Sequence, residues 1–253
     1  MEIVQAYATK NKCYQIGTPL TPQGIMLHSI GCPQPNADVM ARYYNQYQPG
    51  GQSVCVHGFI QRDGTYYQTL PYNLRAWHCG GAANATHIGI EMTEPASIVY
   101  TGGASWRDLD PIATETHVRG TYSAAVELFA QLCTQFDLDP LADGVIISHA
   151  EGAERGIASA HADPTHLWRA FGLTMDGFRA DVAAEMAEKN TVEEDEDMAT
   201  RYNTVAELPT WAQEETQKLI DRGALLGDEH GNLDVTMDML RTMIVCQRMV
   251  DGK

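Results

Sequence analysis

A chain of 253 residues with a net charge of −16 has room for one large domain, or for one medium domain with a small appendage. Its hydrophobic fraction of 44% is typical of globular proteins, and no apolar stretch approaches the length of a membrane span. The excess of 33 acidic over 17 basic residues argues against nucleic acid as a partner, because phosphate binding needs a basic face.

Predicted strands and helices alternate along the first three quarters of the chain. Strands are expected at short apolar or β-branched runs, and helices where apolar residues repeat with a helical period. The predicted strands are residues 24–30, 53–61, 65–69, 88–92 and 145–147, and the predicted helices are residues 37–46, 121–136, 164–171 and 175–189. This alternation predicts an α/β fold with a mixed central β-sheet flanked by helices.

The composition changes near residue 190, which suggests a domain boundary. Residues 1–190 and residues 191–253 each carry a net charge of −8, although the second part is only a third as long. Five consecutive acidic residues beginning at Glu193 repel one another and are poorly able to fold alone. We therefore predict a first domain over residues 1–190 and an acidic linker over residues 191–200.

The remaining segment, residues 201–253, is predicted to be a small α-helical module. Its two helices are expected at residues 211–222 and Met237–Val250. The apolar residues of the second helix cover more than one stripe, so this helix must bury two faces. Methionine-rich faces suit adaptable protein contacts. We therefore hypothesise that the module pairs with a second copy, giving a homodimer through the C-terminal helices.

Two apolar runs of the first domain end in a histidine. One ends at His28 and the other, far along the chain, at His149, with His161 and Asp163 shortly after. A buried strand delivers the side chain at its end to the rim of a sheet. Two imidazoles and a carboxylate are a ligand set of the kind that a catalytic zinc uses, which leaves a fourth position for water. The pattern therefore favours a catalytic metal site.

Five motifs in a fixed order extend this pattern over residues 20–170. They are Leu27-His28-Ser29, Val56-His57-Gly58-Phe59-Ile60 with Arg62-Asp63-Gly64-Thr65, Ala76-Trp77-His78-Cys79-Gly80, His87-Ile88-Gly89-Ile90-Glu91, and Ser148-His149 with His161-Ala162-Asp163-Pro164. In this order they resemble the zinc-dependent N-acetylmuramoyl-L-alanine amidases of the type 2 family, which share a fold with the peptidoglycan recognition proteins. The resemblance implies hydrolysis of the amide between the muramic acid lactyl group and L-alanine of bacterial peptidoglycan, with Zn2+ as cofactor.

The resemblance also implies roles for individual residues. It makes His28, His149 and Asp163 the metal ligands. The interval between His149 and Asp163 is longer than in some relatives, so His161 and His166 stay open as alternatives for the third ligand. Relatives often place a cationic helper, commonly lysine, two residues before the last ligand, and His161 takes that position here.

Three further side chains match positions of the family. Glu91 ends a strand and matches the carboxylate that relatives use as general base, a role that needs a carboxylate within one water of the metal. Glu94 is a weaker substitute. His78 matches a motif that lines the substrate cleft, which implies substrate binding. His57 is expected to support the site from behind the metal.

Two other functional hypotheses compete with the amidase hypothesis. A non-catalytic peptidoglycan-binding module would have the same fold without a complete metal site. A cysteine peptidase would use Cys32 or Cys79 as its nucleophile, although neither follows a recognisable motif. A complete set of candidate ligands together with Glu91 favours the enzyme.

The N-terminal sequence lacks a basic segment followed by an apolar run, so we expect no secretory signal and synthesis in the cytoplasm. A wall-cleaving enzyme made in this way resembles a phage or prophage endolysin, which acts on the cell wall after release. In such an enzyme the C-terminal module is expected to target the wall or to dimerise.

Overall fold

The computed structural model describes residues 1–46 and 54–250. The chain divides into two compact units, Met1–Met186 and Ala187–Lys253. The predicted strand at residues 53–61 starts at Ser53, which lies outside the described residues, and so does the end of the predicted module.

A six-stranded mixed sheet organises the first unit. The strands of this unit are β1 (Glu2–Gln5), β2 (Gly24–Ser29), β3 (Gly58–Ile60), β4 (Thr65–Gln68), β5 (His87–Met92), β6 (Ile98–Gly102), β7 (Ser105–Asp108) and β8 (Ile146–Ser148). The order in the large sheet is β1-β4-β3-β5-β2-β8, and β6 and β7 form a separate antiparallel hairpin. Within the large sheet β3 and β4 pair in antiparallel fashion, and the other neighbours are parallel.

Helices lie between these strands in the chain, which confirms the predicted α/β class with a mixed central sheet. They are α1 (Lys12–Ile16), α2 (Ala37–Tyr44), α3 (Pro111–Phe136), α4 (His149–Glu154), α5 (Thr165–Trp168) and α6 (Met175–Ala199), with short 3-10 helices at Ala82–Ala85 and Arg169–Phe171.

Side chains of the central strands alternate between the two faces of the sheet. On one face Ile25 and Leu27 of β2 belong to the main apolar core, which also contains side chains of α3 and α6. In that core the rings of Phe129 and Phe178 pack edge to face, with their centroids 5.1 Å apart. By the same alternation His28 lies on the opposite face, so the sheet separates the apolar core from the polar side chains at its carboxyl edge.

Several elements differ from the prediction. The strand β1, the helix α1 and the β6–β7 hairpin were not predicted. The helix α3 begins ten residues earlier than predicted, because the first half of this helix is rich in threonine and contains Gly120, and both residue types are poor helix formers. The start of α3 is instead fixed by Asp110, whose side chain accepts the backbone N–H of Ala113, and by Pro111 in the first turn.

The helix α6, which begins in the first unit, is longer than predicted. The expected helix ended at residue 189, whereas α6 continues to Ala199 and includes the acidic run that begins at Glu193. Glutamate is a good helix former, so the backbone of most of the predicted linker is helical. None of the described helices is long and apolar enough to cross a membrane.

The second unit has a small apolar core of its own. Its helices are α7 (Thr210–Asp221) and α8 (Met237–Val250), and the strands β9 (Arg201–Tyr202) and β10 (Val235–Thr236) pair in antiparallel fashion. The buried core consists of Leu208, Ala212, Leu219, Leu225, Val235, Leu240 and Ile244. Other apolar side chains are exposed, namely Trp211, Leu226, Met239 and Val245.

Candidate active site

Three predicted ligands converge at the carboxyl edge of the sheet. His28 Nδ1 lies 3.0 Å from His149 Nδ1 and 3.2 Å from Asp163 Oδ2. His149 Nδ1 lies 3.4 Å from Asp163 Oδ1. Among the described residues, these three side chains form a group whose ligand atoms all lie within 4.8 Å of one another. The structure therefore brings His28 together with two residues that lie more than 100 positions away in sequence.

The strand register explains how His28 reaches its neighbours. His28 pairs with Glu91 of β5, and Leu27 pairs with Ser148 of β8, both in parallel fashion. Paired residues on adjacent strands project from the same face, with the strands about 5 Å apart. Because His149 follows Ser148 directly, the ends of three adjacent strands place His28, Glu91 and His149 side by side.

A capping box positions His149 at the first turn of α4. The Ser148 hydroxyl accepts the backbone N–H of Glu151 at 3.0 Å, and the Glu151 carboxylate accepts the N–H of Ser148 at 2.9 Å. Arg179 of α6 donates to both oxygens of Glu151, at 3.1 and 3.2 Å, and to the carbonyl of Ile146 at 2.9 Å. Ser148 and Arg179 therefore both hold the beginning of α4 through Glu151.

The electrostatics of the three side chains suit a cation. Although burial opposes ionisation, the adjacent rings of His149 and His28 hold the pKa of the Asp163 carboxyl well below its usual range. Burial lowers the pKa of His28, which favours the neutral ring. A neutral imidazole and an ionised carboxylate are the forms in which these side chains bind a metal.

Glu91 is a buried carboxyl group beside these three residues. It is 8% exposed, and its Oε2 has no hydrogen-bond partner within the described part of the chain. Burial, followed by the nearby carboxylates of Asp163 and Glu94, raises the pKa of Glu91 well above its usual range. A nearby cation favours the ionised form, and a carboxylate with a free lone pair can accept a proton from water.

These side chains line an open cleft of about 790 Å³. Its walls include the tip of the β6–β7 hairpin, at Gly103 and Ala104, together with Tyr100 and Arg169. The candidate ligands therefore lie in a cleft that is open to solvent.

The two alternative third ligands lie elsewhere. His161 is exposed, and its Nδ1 is 3.1 Å from Nε2 of His149 and 3.0 Å from the Ser159 hydroxyl. His161 thus contacts a candidate ligand on the side away from Asp163. The Nε2 of His166 is 2.7 Å from the Tyr100 hydroxyl. Asp163 is therefore the residue that completes the cluster.

His78 is buried behind His28 rather than free in the cleft. Its exposed fraction is 7%, although it contributes to the cleft wall. Its Nδ1 lies 2.9 Å from Nε2 of His28, and its Nε2 lies 3.2 Å from the carbonyl oxygen of His87. Both ring nitrogens are thus hydrogen-bonded within the protein. For its predicted role in substrate binding, His78 therefore has no free ring nitrogen.

Sequence reasoning missed a polar network beside the cleft. Glu94, which is fully buried, accepts hydrogen bonds from the Ser29 hydroxyl at 2.7 Å, the Gly31 N–H at 3.0 Å and the Tyr100 hydroxyl at 2.8 Å. The Tyr100 hydroxyl also contacts His166. Because Glu94 is occupied by three donors, it is a poor substitute for Glu91 as a base. Tyr100 lies on the unpredicted hairpin, so no sequence signal indicated it.

The two candidate nucleophilic thiols have unfavourable surroundings. Burial raises the pKa of Cys32, as do the nearby carboxylates of Glu94 and Glu91. Burial also raises the pKa of Cys79, whose Sγ lies 3.2 Å from Asn84 Oδ1. A raised pKa disfavours the thiolate that a cysteine peptidase requires.

Several solved structures of other proteins share the fold of this chain. The hydrolase AmiA of Staphylococcus aureus, solved with its ligand, is 18% identical, with a TM-score of 0.57 over 76% of this chain and 86% of that chain. The catalytic domain of XlyA is 20% identical, with a TM-score of 0.51 over 72% and 99%. The PlyG catalytic domain is 17% identical, with a TM-score of 0.51 over 74% and 96%. At these identities the likeness shows a shared fold, and it spans most of each matched chain.

A comparison with curated proteins gave no match. Residues 18–166, more than half of the chain, match the protein family described as N-acetylmuramoyl-L-alanine amidase (Amidase_2). This range includes His28, Glu91, His149 and Asp163. The chain therefore belongs to the type 2 N-acetylmuramoyl-L-alanine amidase family.

Proposed function

We propose that the protein is a zinc-dependent N-acetylmuramoyl-L-alanine amidase that hydrolyses the amide between the muramic acid lactyl group and L-alanine of bacterial peptidoglycan. The observation that carries this proposal is the convergence of His28, His149 and Asp163 in one cleft with the unpartnered carboxyl oxygen of Glu91. A binding module of the same fold would not need a buried carboxyl group without a partner, since such a group costs stability.

The three side chains fit a zinc ion. Two imidazole nitrogens and one carboxylate are a ligand set of catalytic zinc sites, which leave a fourth position open. The Nδ1 atoms of His28 and His149 are only 3.0 Å apart. Two lone pairs this close repel each other unless a cation or a proton lies between them. When bound, zinc supplies a Lewis acid that polarises the scissile carbonyl and acidifies a water molecule.

The protein's own side chains perform the proton transfers. Glu91, in register with His28, accepts the proton of the attacking water at its free Oε2. Burial keeps the proton affinity of Glu91 high, so Glu91 retains this proton until it passes it toward the leaving amine. His161 stands at the mouth of the cleft, with Nδ1 directed at His149. Its Nε2 is free to donate a hydrogen bond to the oxyanion or a proton to the amine.

Purified cell walls provide the test of this function. We expect the protein to release fragments whose masses correspond to cleavage between the lactyl group and L-alanine. A chelator should abolish the release, and zinc should restore it. Fragments cut at a peptide or glycosidic bond would contradict the amidase, and tight wall binding without any release would support the binding module instead.

The variant Glu91→Gln tests the base, because an amide of the same shape cannot accept the proton. We expect turnover to fall by about a hundredfold or more while zinc content and fold are retained. Glu115→Gln, on the exposed surface of α3, is the control and should retain wild-type turnover. Near-normal turnover of muropeptides by Glu91→Gln would eliminate Glu91 as the base.

We further propose that the enzyme acts as an endolysin of phage or prophage type that cleaves the bacterial cell wall. The second unit is proposed as a wall-targeting or dimerisation module. Its support is that, beside a complete small core, it keeps Trp211, Met239 and Val245 exposed.

A further inference from the structure

Three buried groups form a hydrogen-bonded chain that ends at a candidate zinc ligand. The carbonyl oxygen of His87 lies 3.2 Å from Nε2 of His78, and Nδ1 of His78 lies 2.9 Å from Nε2 of His28. The His78 and His28 rings meet edge to face, with centroids 5.1 Å apart. His28 and His78 are 1% and 7% exposed, so water does not compete for these contacts.

The chemistry of the chain fixes the direction of its hydrogen bonds. A carbonyl oxygen only accepts, so Nε2 of His78 carries a hydrogen and donates it to His87. Between His78 and His28 one nitrogen must donate and the other must accept. For His28 to present a lone pair at Nδ1, where it meets His149 and Asp163, its hydrogen must be on Nε2. The Nδ1 of His78 is then the acceptor of this hydrogen.

The His78 ring lies in a place that the surrounding chain is built to hold. A Cβ atom on Gly89, in the middle of β5, would overlap the His78 ring, so only glycine lets the ring lie against this strand. The Oδ1 of Asn84 accepts the backbone N–H groups of His78 and Cys79 at 2.9 and 3.0 Å. The ring is thus held in place by the hydrogen bond of its backbone N–H to Asn84, by packing against Gly89 and by the hydrogen bonds of both ring nitrogens.

We propose that His78 is a positioning residue that fixes the tautomer and the orientation of His28, so that Nδ1 of His28 faces the zinc ion. This inference rests on the zinc site proposed above and replaces substrate binding as the role of His78. Hydrogen-bond partners that orient a ligating histidine typically change metal affinity by about 10-fold to 100-fold when they are removed.

Nitrogen-15 NMR of the imidazole rings tests the tautomer directly in the wild-type protein, with and without zinc. We expect the hydrogen of His78 on Nε2 and an unprotonated Nδ1 in both states. We also expect a hydrogen on Nε2 of His28 in both. A hydrogen on Nδ1 of His78 in either state would overturn the proposal, and this measurement does not depend on any variant folding.

Zinc affinity tests the consequence for the metal, measured by competition with a chromophoric chelator. We expect His78→Leu to weaken zinc binding by about 10-fold to 100-fold. His78→Asn should retain more of the affinity, because its amide oxygen can take the place of Nδ1 and accept from His28. The matched control is His87→Leu, which removes a ring that is also buried and bonded twice, to Thr86 and to the Gly144 carbonyl, but keeps the His87 carbonyl.

The outcomes separate this inference from the proposed function. A wild-type protein that binds no zinc would contradict both. Equal zinc affinity of wild type and folded His78→Leu would contradict the role of His78 alone. An equal loss of affinity in His87→Leu would show that burial in this region, rather than the hydrogen bond to His28, determines the affinity, and would also overturn the inference.

Discussion

Acidification should destabilise the protein through His57, a fully buried histidine behind the candidate site. Its Nε2 donates to the carbonyl of Leu74 at 2.9 Å, and its Nδ1 accepts the backbone N–H of Gly89 at 3.0 Å. Burial, opposed by these backbone hydrogen bonds, lowers the pKa of His57 from 6.5 to about 4. A second proton on this ring would point at the N–H of Gly89 and would have no acceptor.

The sign of the effect follows from proton binding. Between about pH 6.5 and about pH 4 the unfolded chain holds a proton on His57 that the folded protein excludes. The contribution is therefore complete above about pH 6.5 and is lost as the pH falls toward 4. At about 1.4 kcal/mol per pKa unit, the loss in the free energy of unfolding is on the order of 3 kcal/mol.

Denaturant unfolding at a series of pH values between 4 and 7.5 measures this loss. A chelator is needed throughout, because metal binding has its own pH dependence. In the variant His57→Asn the amide oxygen can accept the Gly89 N–H, and the group does not titrate. We expect this variant to be less stable at pH 7 but to lose less stability on acidification. His230→Asn, at an exposed position, should keep the wild-type pH dependence. Parallel curves for wild type and His57→Asn would refute the reasoning.

Two further predictions concern the metal and the second unit. Elemental analysis should find one zinc ion per wild-type chain and a loss of zinc in His28→Ala and Asp163→Ala, because each variant leaves only two of the three ligands; unchanged stoichiometric zinc in both variants would contradict the ligand assignment. Light scattering should give a dimer for the full chain and a monomer for residues 1–190, since apolar side chains of α8 are exposed; a monomeric full chain at micromolar concentration would leave wall targeting as the role of the second unit.

The sequence predicted the parts of the site that lie at the ends of buried strands. His28, Glu91 and His149 each follow an apolar run, and parallel strands of this kind end at one edge of the sheet. The α/β class followed from the same alternation of strands and helices. In these cases local pattern and long-range contact agree, which is why sequence reasoning succeeded.

Other features depend on partners that the sequence does not place. The strand β1 pairs with β4, with Glu2 opposite Thr65, and nothing within β1 indicates that partner. The contact of His78 with His28 spans 50 positions, so the motif around His78 predicted a place in the cleft but not the atom it bonds. Tyr100 reaches His166 across 66 positions from a hairpin that is mostly exposed and therefore lacks an apolar pattern.

The hydrogen bonds of Arg179 to the first turn of α4 bear on how much of the chain the candidate site requires. The family match ends at residue 166, yet Arg179, beyond that limit, bonds Glu151 and so supports the ligand-bearing turn. Phe178 and Val182, from the same helix, are buried in the main core. A fragment limited to residues 18–166 would keep every candidate ligand. It would lose Arg179, which supports the helical turn that carries His149. The shortest fragment with an intact candidate site must therefore extend beyond the residues that match the family.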